Sequence, residues 1–182
     1  MKTAPKLKQM IEQLAEKHVF DLYQVQAYLC LDLNEDKLII ENIGASRVSI
    51  AYHFLLYGKW AVDPEIVIWT TDKLPSLSEE KEGDVQWVPI ELYDFQYGWR
   101  ACANIDHSGA LTAFYRREWQ TWLADYVETV VVANLISQGW LEQGIKSDDP
   151  PPSYTPEEMW ERGYLLPPND VSYREVDDEI PF

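Results

Sequence analysis

The residues predict an α+β body over 1 to 146, in which a mainly antiparallel sheet of about five strands packs with an N-terminal helix and a long C-terminal helix. A flexible acidic tail over 147 to 182 completes the chain. Three observations carry this reading. Apolar residues recur at helical spacing at both ends of the body, they alternate with period two between those ends, and proline and acid take over beyond Lys146. A chain of 182 residues is long enough for one real core with appendages.

The elements follow in order. Leu7, Met10, Ile11 and Leu14 form one apolar stripe, with Thr3 as the expected cap and an end near His18, a residue suited to a helix C-terminus. Tyr28 to Leu33 alternates like a strand, although Gln24 to Leu31 also fits a helix. Lys37 to Ile43 is a short strand after the turn-prone Asn34-Glu35-Asp36. Gly44-Ala45-Ser46 turns into Arg47 to Leu56, the strongest strand. Val48, Ile50, Tyr52, Phe54 and Leu56 share one of its faces. Tyr57-Gly58-Lys59-Trp60 reads as a hairpin connection, and Glu65 to Thr71 as the return strand.

Lys73 to Asp84 is expected to be a loop. Gln86 to Phe95 is the next strand, with Trp87, Glu91, Tyr93 and Phe95 on one side and Val88, Ile90 and Leu92 on the other. Gly98 to Ile105 is one further strand, followed by the turn Asp106-His107-Ser108-Gly109. Arg116 to Gln138 is the longest helical pattern. Its stripe runs from Trp119 to Leu135, and Gly139 is its stop. In the tail, Asp148-Asp149-Pro150-Pro151-Pro152 favours extended backbone. Thr155-Pro156-Glu157-Glu158 has the signature of a short capped helix ending at Gly163.

Charge and chemistry narrow the function. The formal charge is -16, and Ser147 to Phe182 holds ten Asp/Glu against two Arg. Such a chain lacks the basic footprint usual for nucleic acid, yet single strands are also held by stacking on aromatic rings. Aromatics reach 13%, including eight Trp and eleven Tyr. Outside the long helix, Tyr57, Trp60, Trp69, Trp87, Tyr93, Tyr97 and Trp99 stand near Arg47, Lys59, Lys73 or Arg100, which pairs rings with phosphate-binding cations. For any one of these rings, a place in the core is an equally good reading.

No phosphate loop, paired Cys/His metal spacing or metalloprotease frame is visible, so neither catalysis nor a metal or cofactor is expected. Asp63 and Glu65 would become interesting only if they lined a deep pocket with His53. Cys30 and Cys102 suit reduced thiols in a cytoplasm, and no run is long enough for a membrane span. Homo-oligomerisation is left open by the residues.

The chain ends Asp177-Asp178-Glu179-Ile180-Pro181-Phe182: a carboxylate triplet, an aliphatic residue, a proline and a terminal aromatic. The acids would be steered to a basic rim while Ile180 and Phe182 anchor in a pocket. Pro181 limits the entropy lost on binding, and the terminal carboxylate adds a group partners capture directly. These six residues resemble the acidic tip of bacterial single-stranded DNA-binding proteins, with Glu179 where a third Asp is usual. The resemblance implies recruitment of host or phage replication, recombination and repair proteins at single-stranded DNA. That family carries an oligonucleotide-binding barrel, from which this body departs, so only the tip residues carry over. More faintly, Asp63-Pro64-Glu65 and the following apolar strand resemble a motif of an uncharacterised domain family of phage and plasmid genes, from which Tyr57 and Lys59 depart. The function expected is therefore single-stranded DNA binding by the body with recruitment by the tip. The alternative is an adaptor or decoy that displays the tip without touching DNA.

Overall fold

A computed structural model describes residues 1–71, 85–95 and 98–148. The expected loop over 73 to 84, the capped segment at Thr155 and the terminal six residues lie outside them. The chain divides into two units, Met1–Pro152 and Ser153–Phe182.

The α+β class holds, with a richer sheet than expected. Helix α1 (Pro5–Lys17) leads into strands β1 (Tyr28–Leu33), β2 (Asp36–Gly44), β3 (Arg47–Leu56), β4 (Lys59–Thr70), β5 (Trp87–Asp94) and β6 (Gly98–Ala101). A short hairpin follows, β7 (Ala103–Ile105) and β8 (Leu111–Phe114). Then come α2 (Arg117–Tyr126), a π turn (Val127–Val131), α3 (Val132–Gln138), α4 (Trp140–Gln143) and β9 (Ile145–Ser147). The main sheet has seven strands in the order β6-β5-β4-β3-β2-β1-β9 rather than about five, and β7 and β8 form a second sheet. Every pairing is antiparallel.

The expected strand over 98 to 105 is thus two strands in two sheets. Cys102 is the pivot: its amide donates to the Ile90 carbonyl at 2.9 Å, and its buried thiol lies 3.1 Å from the same oxygen. Strands β8 and β9 are too short to show in a periodicity. β9 nevertheless matters, because Ser147 pairs with Cys30 at the sheet edge and a body boundary at 146 would cut through it.

The inner face of the meander is dry. Leu29, Leu31, Leu38, Ile40, Val48, Ile50, Ile66 and Ile68 are all buried there under Leu7, Ile11 and Leu14 of α1 and Leu123, Val127, Val131 and Leu135 of the long helical segment. A smaller core of Val67, Val88, Ile90, Cys102 and Ala103 forms where the β7–β8 hairpin covers the opposite face. Gly109 in that hairpin is required on two counts. Its φ is +86°, and a Cβ there would stand 2.8 Å from the Ala45 backbone.

Three local expectations are corrected. Thr3 does not cap α1. The cap position is Ala4, and the Glu128 carboxylate of the π turn accepts the Lys6 and Leu7 amides at 2.9 and 3.1 Å instead. A tertiary carboxylate so placed satisfies orphan donors and meets the positive end of the helix dipole. The Gln24 to Leu31 alternative is excluded by β1. Finally, the stripe from Trp119 to Leu135 lies on a helical segment that a π turn interrupts, and two of its residues, Trp122 and Val130, are each 41% exposed rather than buried. Gly139 ends α3 in the left-handed conformation as expected (φ 84°).

Removing the tertiary cap tests this account. Glu128→Ala is expected to lower unfolding free energy by about 0.5–2 kcal/mol, the range for lost helix caps, as measured by urea denaturation. An unchanged midpoint would show that water satisfies those amides equally well.

Candidate functional site

The residues expected to bind a strand fall into four groups. Register puts Arg47, Trp60, Trp69, Tyr93 and Trp99 on the outer face of the sheet, since Arg47 pairs with Trp69, Trp69 with Val88, and Tyr93 with Trp99. Trp87 and Arg100 point to the inner side instead. Trp87 is 1% exposed in the main core and offers no face to a base. Arg100 is paired with Asp94 and lies 5.9 Å over the Trp119 ring. Tyr57 and Lys59 sit at and just after the β3–β4 turn, where Tyr57 is 98% exposed with φ 52°. Lys73 and Tyr97 lie outside the described residues.

On the outer face, several rings already have structural work. The Trp69 indole donates to the Gly109 carbonyl at 2.8 Å, and Trp69 and Trp99 both pack on the smaller core. Tyr93 is 2% exposed, its ring 6.1 Å from that of Trp99. Trp60 is half-buried, and the Lys37 ammonium lies 5.8 Å from its ring centre.

The same face is rich in acid. Cross-strand partners bring Asp32, Glu41, Glu65 and Glu91 there beside Lys37, Arg47 and His53. Lys37 bonds Asp32 at 2.7 Å, and the Ser49 hydroxyl donates to Glu65 at 2.8 Å. Burial pushes the Glu91 carboxyl up, partly offset by the Arg47 charge and a hydrogen bond from Trp99.

Two β-bulges build a different site on the inner face. Between the Ala51–Glu65 and His53–Val62 pairs, two residues of β4 oppose the single residue Tyr52. Val62 and Glu65 both face outward, so Asp63 and Pro64 both face inward. The sequence pattern Asp63-Pro64-Glu65 therefore splits across the sheet, and neither Glu65 nor His53 joins Asp63. A second bulge on β5, where Val67 pairs with Glu91 but Ile68 with Pro89, turns Ile90 and Glu91 outward together. It reverses the expected facing of the rest of that strand: Leu92 and Asp94 point inward, and Glu91 and Tyr93 outward.

Asp63 now lines a cleft of about 80 Å³ with Leu38, Ile66, Tyr126, Asn134 and Leu135, under the π turn. Burial raises the Asp63 carboxyl above its usual range and the nearby Asp94 charge adds to this, against a hydrogen bond from the Phe95 amide. Burial, then Asp63 and Asp94, likewise raise the Tyr126 phenol. The remaining reactive candidates are occupied or inert. Burial pushes the Cys102 thiol up to about 12. The Asp106 carboxylate accepts Ser108 and Ala110 donors in its turn. Among the described residues no group of three His, Cys, Asp or Glu is arranged to hold a metal ion, and no helix is long and apolar enough to cross a membrane. Alternation alone puts Asp63 and Glu65 on one face, so only the bulges could have disclosed this cleft.

Comparison of the chain with protein-family models, with curated proteins and with solved structures gave no match in any of the three.

The Asp63 environment sets a sign for pH. Its folded-state affinity for protons exceeds the ordinary value of 3.8, so its stabilising contribution is complete below that value and is lost as pH rises through the folded range. Ionised Asp63 therefore costs stability at neutral pH. Asp63→Asn is expected to unfold at higher urea than the parent at neutral pH, with the advantage shrinking towards about pH 4. A less stable Asn variant at neutral pH would mean that the carboxylate is held by favourable partners.

Proposed function

We propose that this is a single-stranded DNA-binding protein of phage or plasmid type that recruits replication, recombination or repair proteins through Asp177, Asp178, Glu179, Ile180, Pro181 and Phe182. The recruiting half rests on the resemblance of that tip. The binding half is supported by one observation: Trp60, with Lys37 over its ring and Arg47 further across the same sheet face, next to the exposed Tyr57 and Lys59 of the turn. A base stacked on an aromatic ring gains about 1–3 kcal/mol, and the exposed Lys59 of the turn takes a phosphate. A strand laid along β3 and β4 would meet the exposed turn first and the Trp60 ring next.

A second reading is favoured by a specific observation as well. Asp32, Glu41, Glu65 and Glu91 share that face and repel phosphate, which suits an adaptor or decoy that displays the tip without binding DNA. Cytoplasmic location and partners of phage or host origin belong to both readings.

Fluorescence anisotropy of labelled oligo-dT separates them. The first reading expects binding that weakens steeply with salt, survives truncation after Pro152, and falls about tenfold or more in Trp60→Ala, the loss of one stacked base. Absence of binding at any salt selects the decoy. A separate experiment addresses the tip: a chain ending at Pro181 should fold normally yet lose affinity for a bacterial repair enzyme that reads such tips. Undiminished affinity would remove the basis of both readings.

A further inference from the structure

The cleft beneath the π turn has no part in either reading above, and its chemistry is specific. Its walls are apolar where Leu38, Ile66 and Leu135 line it, and Asn134 stands exposed on the helix above. Its space of about 80 Å³ is several times the ~10–15 Å³ that one water needs. One end is acidic. Asp63 and Asp94 lie on adjacent strands near the Tyr126 phenol, and the Arg100 guanidinium is already paired with Asp94. No ion pair to Asp63 is formed among the described residues.

We infer that this cleft receives the ammonium end of an aliphatic amine, with the Asp63 carboxylate as counter-ion and the amine's carbon stem against Leu38, Ile66 and Leu135. Charge selects the ligand class. An anion would be repelled by Asp63, and a neutral alkyl group would leave the Asp63 carboxylate without a counter-ion in a half-buried site, where charges interact more strongly than in water. A hard divalent ion wants several oxygen ligands, carboxylates above all; Tyr52, Asn134 and Gln138 add only neutral oxygens to Asp63 here, and among the described residues no three His, Cys, Asp or Glu converge. A compact ammonium on a flexible four-carbon stem suits a cleft with aliphatic walls and a single carboxylate. Tyr126 also belongs to a stacked series, its ring 5.3 Å from Trp122, which is in turn 6.1 Å from Trp119. That series holds the Tyr126 ring in place beside the acid. Burial and the Asp94 charge, which lift the Asp63 carboxyl, are both offset when a cation binds.

The amine could be free or the lysine side chain of a partner protein, and the test separates the two. Isothermal titration of the full chain with n-butylammonium at neutral pH should show saturable binding. n-Butanol at the same concentrations should show none. Asp63→Asn should weaken butylammonium at least tenfold, whereas Glu142→Gln, a change at an exposed acid away from the cleft, should leave it unchanged. Urea denaturation of the Asn variant guards against simple unfolding. Equal binding of butanol, or full retention in the Asn variant, overturns the inference. A short peptide with a central lysine that binds at least tenfold more tightly than butylammonium, and loses this with norleucine in place of lysine, assigns the site to a partner's side chain. No gain over butylammonium assigns it to a free amine. Neither outcome depends on whether the body binds DNA.

Discussion

Everything in the body depends on keeping one face of a seven-stranded meander dry. Side chains alternate across a strand, so a slip of one residue would turn Leu38, Ile40, Val48, Ile50, Ile66 and Ile68 out to the opposite face and bring Lys37, Glu41, Ser49 and Glu65 in. Register is therefore fixed by burial, and burial is completed by helices from both ends of the body. Helix α1 and the segment from α2 to α3 are far apart in sequence. They are joined where Glu128 holds the first amides of α1.

The bulges are where this rule is relaxed, and they fall next to the one cleft described in the core. In β4 the extra residue turns Asp63 inward, and in β5 it turns Asp94 to the same side. Two carboxylates thus come to lie on the inner face, at the point where a π turn interrupts the helix above. π turns and bulges both recur near functional sites, because each redirects side chains that regular geometry would send elsewhere.

The outer face has a different economy. Its charges are interleaved, with Lys37 bonded to Asp32 and Arg47 facing Glu91, and three of its rings are tied into the smaller core or to each other. Affinity for a phosphate chain would have to come from Trp60 and from the exposed turn beside it, against local repulsion. The same acidity would keep the body away from duplex DNA.

The sequence by itself determined the periodic parts: α1 with its stripe, β2, β3, β5 within a residue or two, and the helix stop at Gly139. These are local consequences of spacing and of glycine's freedom at positive φ. It also carried the acidic tip, whose meaning lies in residue order rather than in fold. Only the tertiary structure decided which way Asp63, Glu91, Leu92 and Asp94 face, since a bulge changes facing without changing composition. It alone replaced Thr3 by Glu128 as the cap of α1, split 98 to 105 at Cys102, and sent Trp87 into the core. Each of these rests on a contact between distant residues, and a contact of that kind leaves no period in the sequence.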